Sequence, residues 1–370
     1  MLKAQTQLTQ THDIDDMYLL IDWTIFLEKF ILIVAVVSGS LVIAMYSTFA
    51  ERKVAAVLQD RKGPNRAGPF GILQPLADGL KLFFKEEIIP NFSSKALFVL
   101  GPCLAMLTAM MTGAVIPWGN TLHLFGRDIS LQIADINIGI LYVFGVVSMG
   151  VYGIMIGGWA SNNKFSLMGA LRAASQIISY ELAMGIALIA LLMLTGTLSL
   201  KEMVGEQMDN LWNFFRQPLG FLIFLICAFA ECNRTPFDLA EAENELVGGY
   251  HTEYSSMKLG FYLFAEYINM FLSSAVMVSL FFGGYDIPFV NDAHMTQSLG
   301  ANLASVLQGL CLFIKIVFFL FLFMWVRWTI PRFRYDQLMN LGWKVLIPLA
   351  LFNMLVTGAL ILLQQNNWHF

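Results

Sequence analysis

The residues best suited to chemistry lie between Ala230 and Tyr254, in the run A-E-C-N-R-T-P-F-D-L-A-E-A-E-N-E-L-V-G-G-Y-H-T-E-Y. Glu231, Asp238, Glu241, Glu243, Glu245 and Glu253 stand there against a single cation, Arg234. An apolar run, Leu219–Ala230, leads straight into them. Carboxylates are costly beside hydrocarbon and are kept there where a site needs them. Thr235 reads as an N-cap, Pro236 as a first helical residue and Asp238 as the acid of a capping box, with Gly248-Gly249 as the stop. On that helix Asp238, Glu241 and Glu245 recur at spacings of three and four and share a face. Like charges so close raise one another's pKa, so the row is expected to hold and pass protons near neutral pH. A solvated acidic loop is the plain alternative from Asp238 onward. Glu231, at the end of the apolar run, does not fit that alternative.

The elements that position these acids are membrane spans. Of 370 residues, 57% are hydrophobic and 13% charged, and mean hydropathy is +0.66. That composition belongs to an all-α polytopic membrane protein. Cys103, Cys227, Cys232 and Cys311 show no C-x-x-C pairing and read as packing residues, so no iron–sulfur or other metal site is expected. The histidines lie in polar stretches, against a haem held within the bilayer, and both Gly-x-Gly-x-x-Gly and the P-loop are absent. Residues 1–22 are polar and acidic, unlike a cleaved signal peptide, and are set apart from a single membrane domain over 23–370.

Spans are expected at about 30–50, 96–118, 138–159, 177–198, 218–236, 259–284, 303–328 and 345–364. The fifth has a short apolar core, but charge requires it. With odd spans ending inside, sixteen of the 22 Lys and Arg fall in inner loops and five outside. The basic inner loop 51–95 carries an amphipathic period over 72–88, expected to lie in the membrane interface. The inner loop 231–258 is acidic, and the inner loop 327–344 interleaves cations with aromatics. Within the spans stand Glu181, Glu231, Glu266 and Lys315. The three acids fall at similar depth and suggest a shared polar cavity, with a buried Lys–Glu pair as the plain alternative.

Several stretches together resemble one family, the membrane subunit of respiratory complex I at the junction with its hydrophilic arm, known in bacteria as the H subunit. They are Glu51-Arg52-Lys53, R-K-G-P-N-R-A-G-P-F-G-I-L-Q-P-L-A-D-G-L-K-L from Arg61, R-A-A-S-Q-I-I-S-Y-E from Arg172, the acidic run, Ala265-Glu266-Tyr267, and P-R-F-R-Y-D-Q-L-M-N-L-G-W-K from Pro331. The likeness runs from about residue 30 to the C-terminus, departing at Asn244 and Cys232 without loss of charge. It implies a subunit of a proton-pumping NADH:quinone oxidoreductase that carries no redox cofactor. FMN and iron–sulfur clusters would reside in partner subunits, and ubiquinone or menaquinone would be the substrate. Glu51, Arg52, Arg61, Asp78 and Phe264 would frame the quinone mouth and chamber. Glu181, Glu231, Asp238, Glu241, Glu243, Glu245, Glu253 and Glu266 would form the proton-coupling network, with Arg172, Arg234, Arg332, Arg334 and Lys315 as counter-charges. Implied partners are the hydrophilic quinone-site and iron–sulfur subunits, the small membrane subunits and the antiporter-like subunits. Implied location is a bacterial inner membrane.

Two other functions fit the same spans. One is the membrane subunit of an energy-converting hydrogenase, against which the full R-K-G-P-N-R and P-R-F-R-Y-D-Q-L-M motifs argue. The other is a free-standing ion transporter, which an inverted repeat would favour; the acidic run has no counterpart in the other half.

Overall fold

The computed structural model describes the backbone at residues 2–124, 127–288, 290, 295–296 and 300–365, and the side chains there except at 2–22, 124, 209, 243, 244 and 365. Helix α1 (Leu2–Leu58) contains the first long apolar segment, Trp23–Leu58. The basic loop then turns into α2 (Gln74–Phe84), whose Leu76, Leu80, Phe83 and Phe84 are exposed. Next come α3 (Lys95–Met111), a hairpin of β1 (Thr121–Leu124) and β2 (Arg127–Ser130), α4 (Gly139–Ala160) and α5 (Lys164–Thr195). Short α6 (Leu200–Asp209) and α7 (Asn213–Arg216) lead to α8 (Pro218–Glu231). After α9 (Glu243–Leu246) the chain closes with α10 (Ser256–Phe281), α11 (Ala301–Thr329), α12 (Tyr335–Asn340) and α13 (Ile347–Gln365). A π-helical turn, Leu341–Leu346, fuses the last two.

Among the described residues seven helices are long and apolar enough to cross a membrane, and α8 is a shorter apolar helix. This is the all-α polytopic membrane fold that composition implies. Fourteen residues of α8 rise roughly 21 Å, short of a hydrocarbon core of roughly 30 Å. Past Glu231 the chain continues as buried irregular backbone.

Helix α10 forms the centre, packing on α1, α3 and α11, while α5 packs on α4, α8 and α13. Small residues let the inner helices approach closely. Tyr262 of α10 donates to the Gly153 carbonyl of α4 at 3.0 Å, and a Cβ at Gly157 would lie 1.9 Å from that hydroxyl. Helix α5 begins 13 residues before its expected span, because the cationic and polar residues near its start have partners. Asn163 caps it by accepting from Phe165 N at 3.0 Å. Buried Gln176 gives hydrogens to the carbonyls of Ala230 (2.8 Å) and Phe237 (2.7 Å).

Candidate functional site

The helix expected from Thr235 to Val247 is not formed. Thr235-Pro236 is a cis peptide, residues 235–242 are irregular, and helix occurs only at Glu243–Leu246. Tertiary partners take the backbone groups a helix would have used. Gln176 takes the Phe237 carbonyl, and Ala240 O accepts from Tyr250 N at 3.3 Å. Ala242 adopts a left-handed conformation, φ 36°, which breaks any continuous helix. Of the expected cap, Asp238 still accepts from Glu241 N, at 3.4 Å.

The shared face of Asp238, Glu241 and Glu245 therefore dissolves, and each acid has its own surroundings. Glu245 is exposed and pairs with Arg172 at 2.6 Å, which holds its carboxyl below the usual range. Burial would raise Glu241, but the hydrogen bond and charge of His251, 3.4 Å away, outweigh it and lower its pKa. Burial would lower His251; Glu241 outweighs that in turn, so the imidazole is raised. This pair is complete while His251 is protonated and is lost as pH rises through its elevated pKa. Asp238 alone follows the expectation for a crowded acid. Burial, then the charge of Glu241, pushes it up to about 6.

Two further groups carry the site into the membrane. Glu266, on α10, is buried and accepts from the Tyr250 hydroxyl at 3.0 Å. A void of about 40 Å³ lies beside it, lined by Glu231, Asn233, Tyr250, Tyr262, Glu266 and Asn269. A second void of about 30 Å³ shares Glu231 and Asn269 and reaches Ser273 and Thr112. Each is polar enough and roomy enough for about one or two waters. Glu181 lies within electrostatic range of Glu231 and is hydrogen-bonded by Ser148. Three spans thus bring Glu181, Glu231 and Glu266 to adjoining polar voids.

The first inner loop builds a different space. Glu51, Arg52, Asp78, Phe264, Tyr267 and Arg327 line a cavity of about 570 Å³ between α1, α2, α10 and α11. Arg52 and Asp78 pair across it at 2.7 Å, and Gln74 steadies Asp78 from one turn away at 3.3 Å. Glu51 is 5% exposed and receives Arg234 (3.4 Å), the Tyr267 hydroxyl (2.7 Å) and Arg327. Arg234, also 5% exposed, stacks on the Tyr267 ring at 4.1 Å. Removing one partner from a buried ionic cluster of this kind costs about 3–5 kcal/mol, because the other charge is stranded. Glu51 belongs to the cavity wall while its partner Arg234 acts electrostatically on Glu266. Apolar cavity and buried acids are therefore electrically joined.

Other expected site residues fall elsewhere. Arg61 does not line the cavity; its Nε donates to Gln59 at 2.6 Å. Lys315 gives its hydrogens to the carbonyls of Phe282 (2.7 Å), Gly284 (3.1 Å) and Asp286 (2.7 Å), at the outer end of α10. Arg334 pairs with exposed Asp336 at 3.3 Å, and Arg332 acts on Asp238 and Glu245 through its charge alone. Glu253 accepts from Asn163 at 2.6 Å. The side chain of Glu243 lies outside the described residues. Reasoning from sequence passed over Tyr250, His251, Tyr267 and Arg327, though each adjoins a residue it did single out or a motif it quoted.

A family model described as NADH dehydrogenase matches residues 30–358. The chain belongs to that family. The first of two NADH-quinone oxidoreductase H subunits of Cytophaga hutchinsonii is 68% identical over 337 residues, 91% of this chain and 97% of the relative. The NADH-quinone oxidoreductase H subunit of Flavobacterium psychrophilum is 68% identical over 342 residues, 92% and 99% of the two chains. An H subunit of the same enzyme in Geobacter sulfurreducens is 48% identical over 332 residues, 86% and 91%. The family resemblance carried by the inner-loop motifs is thereby confirmed over nearly the whole chain. Among the described residues no group of three or more His, Cys, Asp or Glu is placed to hold a metal ion.

Proposed function

We propose that this chain is the membrane subunit of a bacterial, proton-pumping NADH:quinone oxidoreductase in which quinone binding and proton movement meet. The observation that carries this reading is Glu51. Its carboxylate forms part of the wall of the 570 Å³ cavity and is held by Arg234, which sits among the buried acids. Phe264 and the apolar side chains of α1 and α10 suit an isoprenoid quinone, and Arg52 with Asp78 marks the cavity rim. Reduction of quinone to quinol draws protons toward the cavity. In a low-dielectric cluster a change of charge at one member alters proton affinity at the rest. Through Glu51 and Arg234 that change would reach Glu266, then Glu231 and Glu181, across the polar voids.

The chain's own residues bind, orient and hold protons. Electrons would arrive from partner subunits carrying FMN and iron–sulfur clusters. The basic and acidic inner loops would face the hydrophilic arm, and α5 with its neighbours would pass the effect toward antiporter-like subunits. Arg52→Ala or Asp78→Ala should impair electron transfer to quinone, while oxidation of NADH by an artificial acceptor stays intact. Loss of both activities in an assembled complex would contradict the quinone assignment, because such acceptors draw electrons upstream.

A further inference from the structure

Helices α1 and α3 both pack against α10 yet stand apart from one another. The gap between them is a groove of about 500 Å³, walled by Ile33, Val36 and Val37 of α1 and Met106 and Met110 of α3, with Phe261 of α10 as floor. Its outer end is closed by Ile133 and Tyr142, and the Tyr142 hydroxyl is already given to the Met111 carbonyl at 3.3 Å. The walls belong to segments long and apolar enough to cross a membrane. Walls with no free polar group do not hold water. An empty groove open to hydrocarbon would forfeit dispersion contact along its whole length.

The outer mouth supplies charge. Lys29 lies one turn before Ile33 on the same face of α1, and its ammonium donates to the Gln132 carbonyl at 2.8 Å. An ammonium has further donors to offer an anion. Trp23, Phe26 and Phe30 are each more than half exposed and stack along the same end of α1. Exposed aromatics of this kind sit at headgroup level. Lys29 then stands at the depth of lipid phosphates, and Ile33 to Val37 lie roughly 6–12 Å below, at the depth of acyl chains. A partner helix, about 10–12 Å across, is too thick for a groove of this volume. A single acyl chain is not.

We propose that the groove between α1 and α3 is a binding site for one phospholipid of the outer leaflet, its acyl chain against Phe261 and Met106 and its phosphate at Lys29. The site is separate from the cavity at α2 and does not depend on the quinone reading. The test is native mass spectrometry of the detergent-purified protein in its native assembly. Wild type should retain a phospholipid through washing. Ile33→Trp, which fills the groove from an exposed wall position, should lose it, and Lys29→Gln should retain several-fold less. A photo-reactive residue in place of Leu107, an exposed position on the groove wall, should form its adduct with phospholipid. Equal phospholipid retention in wild type, Ile33→Trp and Lys29→Gln would overturn the proposal, leaving only bulk lipid contact. So would an adduct of polypeptide mass at position 107, which would give the groove to a partner subunit.

Discussion

Asp238 and Glu241 are close neighbours with opposite tendencies, and the difference comes from what each one faces. Glu241 has His251 at 3.4 Å and the charges of Arg234 and Arg327, so it stays ionised despite burial. Asp238 has burial and the negative charge of Glu241, against weaker help from Arg327 and Arg332, and rises to about 6. Lowering pH from 7 to 5 therefore neutralises Asp238 first. If its ionised form accepts protons in turnover, the rate of quinone reduction should fall through an acid limb near pH 6. Asp238→Asn should remove that limb and leave a low rate that is flat across the same range. An unchanged limb in the variant, with assembly intact, would assign the titration to another group. The sequence showed the acids but not their inequality, because His251 and the arginines reach them through tertiary contact and not through spacing along a helix.

At the level of elements, the spans were legible and the acidic loop was not. Apolar length located seven of the helices, since a long uncharged stretch in a membrane chain has few alternatives to helix. It misplaced the start of α5, where Arg172, Ser175 and Gln176 lower the hydropathy of a segment that is nonetheless helical and packed. The cap, proline and glycine signals of residues 235–249 are real local preferences, and side chains from other elements overrode them. Gly248-Gly249 does a different task from stopping a long helix. Gly249 has φ 62°, and an added Cβ would lie 1.8 Å from the Ala240 carbonyl. That close approach seats Tyr250 toward Glu266 and His251 toward Glu241. Gly249→Ala is expected to cost at least about 1–3 kcal/mol in strain at this position. It should lower the yield of assembled complex on native gels, whereas Gly185→Ala, in open space on α5, should leave yield unchanged.

Across the whole molecule, the arrangement is a cavity at the inner surface, an ionic cluster at its wall, and polar voids leading into the membrane. Glu51 joins cavity and cluster; Glu231 joins the two voids. The family resemblance pointed to both residues, but the contact of Glu51 with Arg234 spans 183 positions of sequence and appears only in the fold. Lys315, singled out as a counter-charge, instead ties α11 to the outer end of α10 through three carbonyls. The remaining acids converge on Glu231. Glu231→Gln keeps the size and hydrogen-bonding capacity of that side chain and removes its titration. The most direct test is to measure quinone reduction and proton pumping per unit of flavin in membrane vesicles bearing this variant. With assembly normal on native gels, both rates should fall together, because a tightly coupled machine cannot complete one without the other. Wild-type quinone reduction with wild-type pumping in Glu231→Gln would contradict the coupling path.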